Sequence, residues 1–298
     1  MAVGPYGALL EAVRGVRWPA RRHASSVSPG THRARTRGVA SEFAEYRLYR
    51  QGDDPRRIDW KLLARSDRAY TRLAPNHSVM PTTIGVDASA SMAFPERPSG
   101  EGAAPAFDKW EAAKRIAVAC AAIARASGDP VGLAVAGGGG LTRLSARTRR
   151  GIVAEIARTL DAITPRGSGS LAEAFAQAGK RVLLITDCLG DVNALRRASR
   201  AHVAGGGEVL VAHVVSRAEL EVPVGAILAT DPEDTSVKRS LTATSHPAYR
   251  AAFDSWRAEV AGDWRDDGIA YVEVLDDEPA DIVVRRVVAP PSSAGTRA

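Results

Sequence analysis

No apolar run in this chain approaches the roughly 20 residues needed to cross a bilayer, so no membrane span is expected. Cysteine is almost absent. Cys120 and Cys188 form neither a metal-binding nor a redox spacing, which excludes a disulfide framework and a zinc ribbon and points to free thiols in the cytoplasm. Aromatic residues make up only 5% of the chain, so the core must be built from aliphatic side chains and alanine. The histidines, His23, His32, His77, His202, His213 and His246, are scattered and assemble no catalytic set. A G-x-x-x-x-G-K-[ST] loop is lacking, so the chain is not itself a P-loop ATPase, and the Gly137 to Gly140 run reads as a hairpin turn. A G-x-S-x-G nucleophile elbow is missing as well.

Charge is unevenly spread. The net charge is +6 with a pI near 9.6, and much of the excess lies near the start, where Glu11 stands among Arg14, Arg17, Arg21, Arg22, Arg33, Arg35 and Arg37. These arginines do not precede a continuous apolar core, which argues against a secretory signal. The L-L-E-A-V-R-G-V-R-W segment reads as a surface helix, although a transit peptide has a similar texture. The basic balance permits contact with nucleic acid, but nothing resembling a helix-turn-helix, zinc finger or aromatic RNA platform accompanies it, and no nucleic acid is expected as partner.

Four regions follow from texture. Residues 1–40 combine a short helix, with Leu9, Leu10, Val13 and Val16 on one face, and a Ser/Gly/Arg linker. Residues 41–80 are dense in charge with aromatics at intervals (Phe43, Tyr46, Tyr49, Trp60), and are expected to form a segment packed on the main domain. Opposite charges there, including Asp53, Arg57, Asp59 and Arg65, suggest either an ion-pair network or a solvated face. From 81 to 288 strands and helices alternate. Strands are expected at 82–86, 131–136, 141–145, 181–186, 208–215, 224–230 and 269–274, and helices at 107–126, 147–163, 171–178, 192–202 and 248–264. Residues 289–298 read as a disordered tail. Such alternation implies an α/β fold, a doubly wound, mainly parallel, Rossmann-like sheet with a charged N-terminal extension. In such sheets ligands bind beyond the carboxyl ends of the strands, where Asp87 and Asp187 stand.

The stretch T-T-I-G-V-D-A-S-A-S-M, residues 82–92, ends a β-prone run in an aspartate followed by serines at every second position. Alternate side chains of an extended segment point the same way, so Asp87, Ser89 and Ser91 converge. One carboxylate and two hydroxyls form a hard oxygen set that suits Mg²⁺, Mn²⁺ or Ca²⁺. The bland alternative is that the serines merely cap the following turn.

D-A-S-A-S-M after a strand resembles the metal-ion-dependent adhesion site (MIDAS) of von Willebrand factor A-type domains. The resemblance implies that Asp87, Ser89 and Ser91 face a divalent ion, that Asp187 completes the shell through water, and that a loop Thr adds a ligand. In G-S-G-S-L-A-E-A-F the ungapped counterpart of that Thr is Gly169, and Ser170 or the neighbouring Ser168 stands in for it, with Ser170 taken as the ligand.

A second, longer stretch, E-F-A-E-Y-R-L-Y-R-Q-G-D-D-P-R-R-I-D-W-K-L-L-A-R, preceded by G-T-H-R at 30–33, resembles the signature of the domain-of-unknown-function family 58, whose members join it to a von Willebrand A-like domain. The resemblance implies a non-enzymatic, metal-dependent protein-binding module, an accessory factor for a MoxR-type AAA+ ATPase that also meets a client bearing an acidic residue. The rival reading is a phosphohydrolase with Asp87 as nucleophile. Phosphatases of the haloacid-dehalogenase type, which Asp87 resembles by position, need a second Asp two residues on, where this chain has Ser89.

Overall fold

The computed structural model describes residues 4–20, 29–33, 45–49, 55, 58–66, 68–73, 77–95, 108–221, 227–230, 236–242 and 245–289. They fall into two compact units, one of residues 1–22 with 80–298 and the other of residues 23–79.

In the larger unit the chain begins with a 3₁₀ turn, Gly4–Tyr6, and helix α1 (Gly7–Ala12). The smaller unit contains strands β1 (Pro29–Arg33) and β2 (Glu45–Leu48), helix α2 (Trp60–Ser66), and strands β3 (Tyr70–Leu73) and β4 (His77–Ser78). Here β2 pairs antiparallel with β3, and β1 with β4. Asp59 starts α2, its Oδ1 accepting the backbone N–H groups of Lys61 and Leu62 at 3.0 Å each, which supplies partners for two otherwise orphaned donors. Trp60, expected as a packing residue, is 61% exposed. Asp53, Arg57 and Phe43, and the side chain of Tyr46, lie outside the described residues, as does the tail beyond Ala289.

The remaining elements of the larger unit follow in order. They are β5 (Thr82–Ala88), α3 (Lys109–Ala126), β6 (Val131–Gly137), β7 (Gly140–Arg147), α4 (Ile152–Asp161), a 3₁₀ helix at Leu171–Gln177, β8 (Arg181–Thr186), α5 (Val192–Ala204), β9 (Glu208–Val215), α6 (Arg217–Leu220), β10 (Ile227–Thr230), β11 (Lys238–Leu241), α7 (His246–Asp266), β12 (Ala270–Leu275) and α8 (Ala280–Val288). Six strands form one sheet in the order β12-β9-β8-β5-β6-β7. All neighbours are parallel except β6 and β7, which the Gly138–Gly139 turn joins into a hairpin. This is the doubly wound sheet that the alternation of elements implied.

Side chains alternate across the sheet with period two. Ile84, Val86, Leu133, Val135, Leu183, Ile185, Leu210 and Ala212 face one core, which α3, α4, α8 and the N-terminal residues Tyr6, Val13 and Trp18 complete. Val182, Leu184, Val209 and Val211 face the other, closed by the 3₁₀ helix, α5 and α7 through Leu171, Leu195, Val260 and Trp264. Every strand from β5 to β9 except the edge strand β7 is buried along its whole length, which is why these segments read as continuous apolar runs.

Three expectations shift. The helix expected from 147 to 163 begins only at Ile152, because Arg147 pairs with Val131 in the hairpin and Gly151 turns the chain with φ 88°. Residues 171–177 coil as a 3₁₀ helix, whose three-residue repeat stacks Leu171 and Ala174 on one buried face. The strand expected from 224 starts at Ile227 and pairs with β11, outside the main sheet. Among the described residues no helix is long and apolar enough to cross a membrane.

The amino ends of the strands are closed by a buried arginine. Arg181 is fully buried at the start of β8, its Nε donating to Glu208 Oε2 at 3.3 Å, with Asp129 Oδ2 at 3.8 Å. Its guanidinium lies 4.6 Å from the Trp18 ring centroid and donates to the carbonyls of Trp18 (3.4 Å) and Pro19 (3.2 Å). One side chain thus joins the N-terminal segment to β8 and β9. Removing it withdraws the cation from two buried carboxylates, a class of change that costs about 3–5 kcal/mol. Arg181→Ala is therefore expected to lower unfolding free energy in urea by that amount; a loss under about 1 kcal/mol, the scale of an exposed pair, would show that the cluster does not secure the N-terminal segment.

Candidate metal centre

The topology brings two carboxylates to one place. β5 and β8 are adjacent and parallel, with Val86 opposite Ile185, so the residues that follow, Asp87 and Thr186, lie side by side at the carboxyl ends. The chain leaves β5 toward β6 on one side and later returns to β8 on the other, so this is the point at which strand order reverses. Thr186 Oγ1 donates to Asp87 Oδ2 at 2.8 Å, and Asp187 follows immediately.

Each sequence-predicted residue has a definite place. Asp87 is 6% exposed and its Oδ1 accepts the Ser89 N–H at 2.9 Å, an Asx-type turn that stops the strand. Ser89 and Ser91 are buried, their Oγ atoms 3.0 Å apart on either side of the start of a 3₁₀ turn, Ala90–Ala93. The Ser89 hydroxyl does not cap that turn, which removes the simplest structural use for it. Asp187 is buried, and its Oδ1 accepts from Leu189 N at 3.2 Å across Cys188, whose φ of 58° is unusual for a residue with a Cβ. Asp87, Ser89, Ser91 and Asp187 are thus brought together.

Ser170 is different. It sits exposed at the start of the 3₁₀ helix without capping it, on the loop from 164 to 170. That loop is bonded to the end of β5 by Arg166 N to Ala88 O (3.0 Å) and Ala90 N to Gly167 O (2.8 Å), and to β6 by Gly138 N to Arg166 O (2.7 Å). At Gly169 a Cβ would stand 2.5 Å from Gly137 N and 2.8 Å from Gly137 Cα and O. A threonine at this position is sterically closed unless the end of β6 moves. The departure from the family pattern at Gly169 therefore matches a close approach of two backbones.

Two further residues belong to the site and were missed in the sequence. Lys109, the first residue of α3, is fully buried and donates from Nζ to Asp187 Oδ2 and to Glu219 Oε1, at 2.8 Å each. Its Nζ also lies 5.8 Å from the Phe94 ring centroid, within cation–π range. Glu219 is held in place by the capping box of α6, in which Glu219 Oε2 accepts the Ser216 N–H at 2.7 Å and leaves Oε1 for the lysine. The sequence does carry one signal for Lys109: a lysine at the amino end of a helix opposes the macrodipole and so calls for a nearby anion.

The charges sum to a deficit. Three carboxylates, Asp87, Asp187 and Glu219, face one ammonium, Lys109, a formal excess of −2 when every group is counted as ionised. Burial raises the Asp87 carboxyl above its ordinary range and the neighbouring Asp187 charge adds to this, outweighing the donors from Ser89 and Thr186. Burial alone would lower the Lys109 ammonium, but Asp187 and Glu219 outweigh burial and hold it above its ordinary value. Among the described residues no three His, Cys, Asp or Glu side chains cluster as metal ligands, so an ion here would rest on hydroxyls as well as carboxylates. The donor set is all oxygen and short of positive charge, and it fits a hard divalent cation. Both cysteines are buried and free, with burial pushing their thiols well above the ordinary range.

Among solved structures, the BatB protein of Bacteroides thetaiotaomicron is 18% identical, matches 70% of this chain and 97% of its own, and superposes with a TM-score of 0.46. The SpRpn10 VWA domain is 14% identical over 69% of this chain and 93% of its own, with a TM-score of 0.39. Uncharacterized protein Rv1480 of Mycobacterium tuberculosis strain H37Rv is 31% identical over 288 residues, 92% of this chain and 88% of its own, and Mb1516 of Mycobacterium bovis matches to the same extent. The model of the family described as protein of unknown function DUF58 matches residues 45–261, and the chain belongs to that family.

Proposed function

We propose that this protein is a non-enzymatic, metal-dependent protein-binding module. The observation that carries the reading is the meeting of Asp87, Ser89, Ser91 and Asp187 at the reversal of strand order, in a buried, all-oxygen site. Asp87, Ser89, Ser91 and Asp187 would hold the ion, Mg²⁺ or else Mn²⁺ or Ca²⁺, with Ser170 as the ligand from the adjoining loop. When bound, the ion supplies a positive centre for an Asp or Glu side chain of a partner protein. The chain's own residues shape the approach. Phe94 is 39% exposed just past Ser91, and Leu189 is 49% exposed two residues past Asp187, so apolar surface borders the acidic site. Exposed aromatic and aliphatic side chains beside polar anchors are enriched at interface centres.

The partner we propose, as the family resemblance implies, is an AAA+ ATPase of the MoxR type, with a client that bears the acidic residue. The phosphohydrolase alternative has less support, since Ser89 occupies the position of the second aspartate that such enzymes use.

Calorimetric titration with Mg²⁺ and Mn²⁺ is expected to show saturable binding, weakened at least about tenfold in Asp87→Asn, where one ligand charge is lost and shape is kept. No binding in the wild type, in the presence or absence of a carboxylate-bearing partner peptide, would remove the metal reading; turnover of a generic phosphoester abolished by Asp87→Asn would restore the enzyme. Leu189→Ala is expected to keep the ion affinity and to weaken capture of the ATPase by about 1 kcal/mol or more, the scale of an interface anchor. Unchanged capture would place the partner surface elsewhere.

A further inference from the structure

We propose that Lys109 is a resident cation of this site: its ammonium neutralises Asp187 while no ion is bound, and by opposing a second positive charge it keeps the intrinsic affinity for a divalent ion low. The inference rests on the metal reading above and concerns a residue which that reading does not use.

The geometry distinguishes Lys109 from an ordinary buried ion pair. Its Nζ stands between carboxylates from two different strand ends, Asp187 after β8 and Glu219 after β9, at 2.8 Å from each. Lys109 is the first residue of α3, so the backbone places it by the Asp108 cap, whose Oδ1 accepts Glu111 N at 2.6 Å, and by Lys109 N donating to Phe94 O at 3.1 Å. The segment that carries Ser89 and Ser91 and the helix that carries Lys109 are therefore bonded to each other at the site. Asp187 is occupied on both oxygens, Oδ1 by Leu189 N and Oδ2 by Lys109. An incoming ion meets a carboxylate whose charge is already partly spent, and it meets an ammonium beside that carboxylate. Like charges in a water-poor site repel strongly because screening is weak. The ion then binds firmly only when a partner adds a further carboxylate. Ion and partner are coupled, and each raises the affinity of the other by the same factor.

A purely structural role for Lys109, anchoring α3 to the sheet, predicts that its removal only weakens the protein. The proposal predicts a gain. Lys109→Met keeps the length of the stem and removes the charge, and it is expected to bind Mg²⁺ and Mn²⁺ about tenfold tighter or more by calorimetry. Its melting temperature is expected to fall without the ion and to recover on adding Mg²⁺ far more than the wild type gains, because the ion replaces the ammonium. Should Lys109→Met not fold, the double variant Lys109→Met, Glu219→Gln, which removes one charge of each sign, carries the same titration. Asp87→Asn added to either background is expected to abolish the gain. Unchanged or weaker ion binding in the folded lysine variant, with the wild type still binding through Asp87, overturns the inference and leaves the metal reading standing. No ion binding in the wild type or in either folded lysine variant overturns both.

Discussion

Two carboxylates buried at the ends of neighbouring parallel strands form the constraint from which the rest of this site follows. The hydrogen bonding of β5 to β8 sets their proximity, and that pairing is in turn fixed by the cores on both faces of the sheet. Neither aspartate can turn away into solvent, since each is tied to the backbone two residues on. The fold therefore generates a concentration of negative charge that something positive must meet. Lys109 meets part of it, at Asp187 and Glu219.

The same logic applies at the other end of the sheet with the opposite outcome. Around Arg181 the buried carboxylates Asp129 and Glu208 face a guanidinium, an aromatic ring and two backbone carbonyls, and the residues of the N-terminal segment complete the enclosure. One end of the sheet is closed by its ion cluster. The carboxyl end is bordered by the exposed side chains of Phe94 and Leu189. The two ends thus differ in what surrounds their charges: one cluster is enclosed by the N-terminal segment, the other borders exposed apolar side chains.

Much of this was legible in the sequence. The strands β5, β6, β8 and β9 are short, apolar and flanked by helical periodicity, so their parallel pairing followed from the alternation alone, and Asp87, Ser89, Ser91 and Asp187 were found because each sits at or just beyond a strand end. Lys109 and Glu219 escaped because their chemistry depends on tertiary placement: one opens a helix and the other sits in a four-residue helix, and nothing local says that they meet. The burial of Trp18 was hidden for the same reason. It is one aromatic among arginines, and the residue that encloses it lies more than 160 positions away. Helix α4 was drawn too long because the charge-rich stretch around Arg147 has no apolar pattern to separate an edge strand from a helical turn.

The loop from 164 to 170 shows how one small residue can redirect a ligand set. Gly137 and Gly169 pack backbone against backbone, and Gly167, at φ 55°, turns the chain so that its carbonyl reaches Ala90. A side chain at 169 would push the end of β6 away from β5, so the close pairing of the loop with both strands and a threonine ligand at that position are mutually exclusive. With no side chain at 169, the hydroxyls that the loop offers beside that position belong to Ser168 and Ser170, both exposed, while the buried donors all come from β5, the turn after it and the end of β8. A site built in this way is deep on the strand side and thin on the loop side. An ion in it would be held mainly from below and would depend on whatever approaches from above, which is the requirement for binding that couples metal to partner.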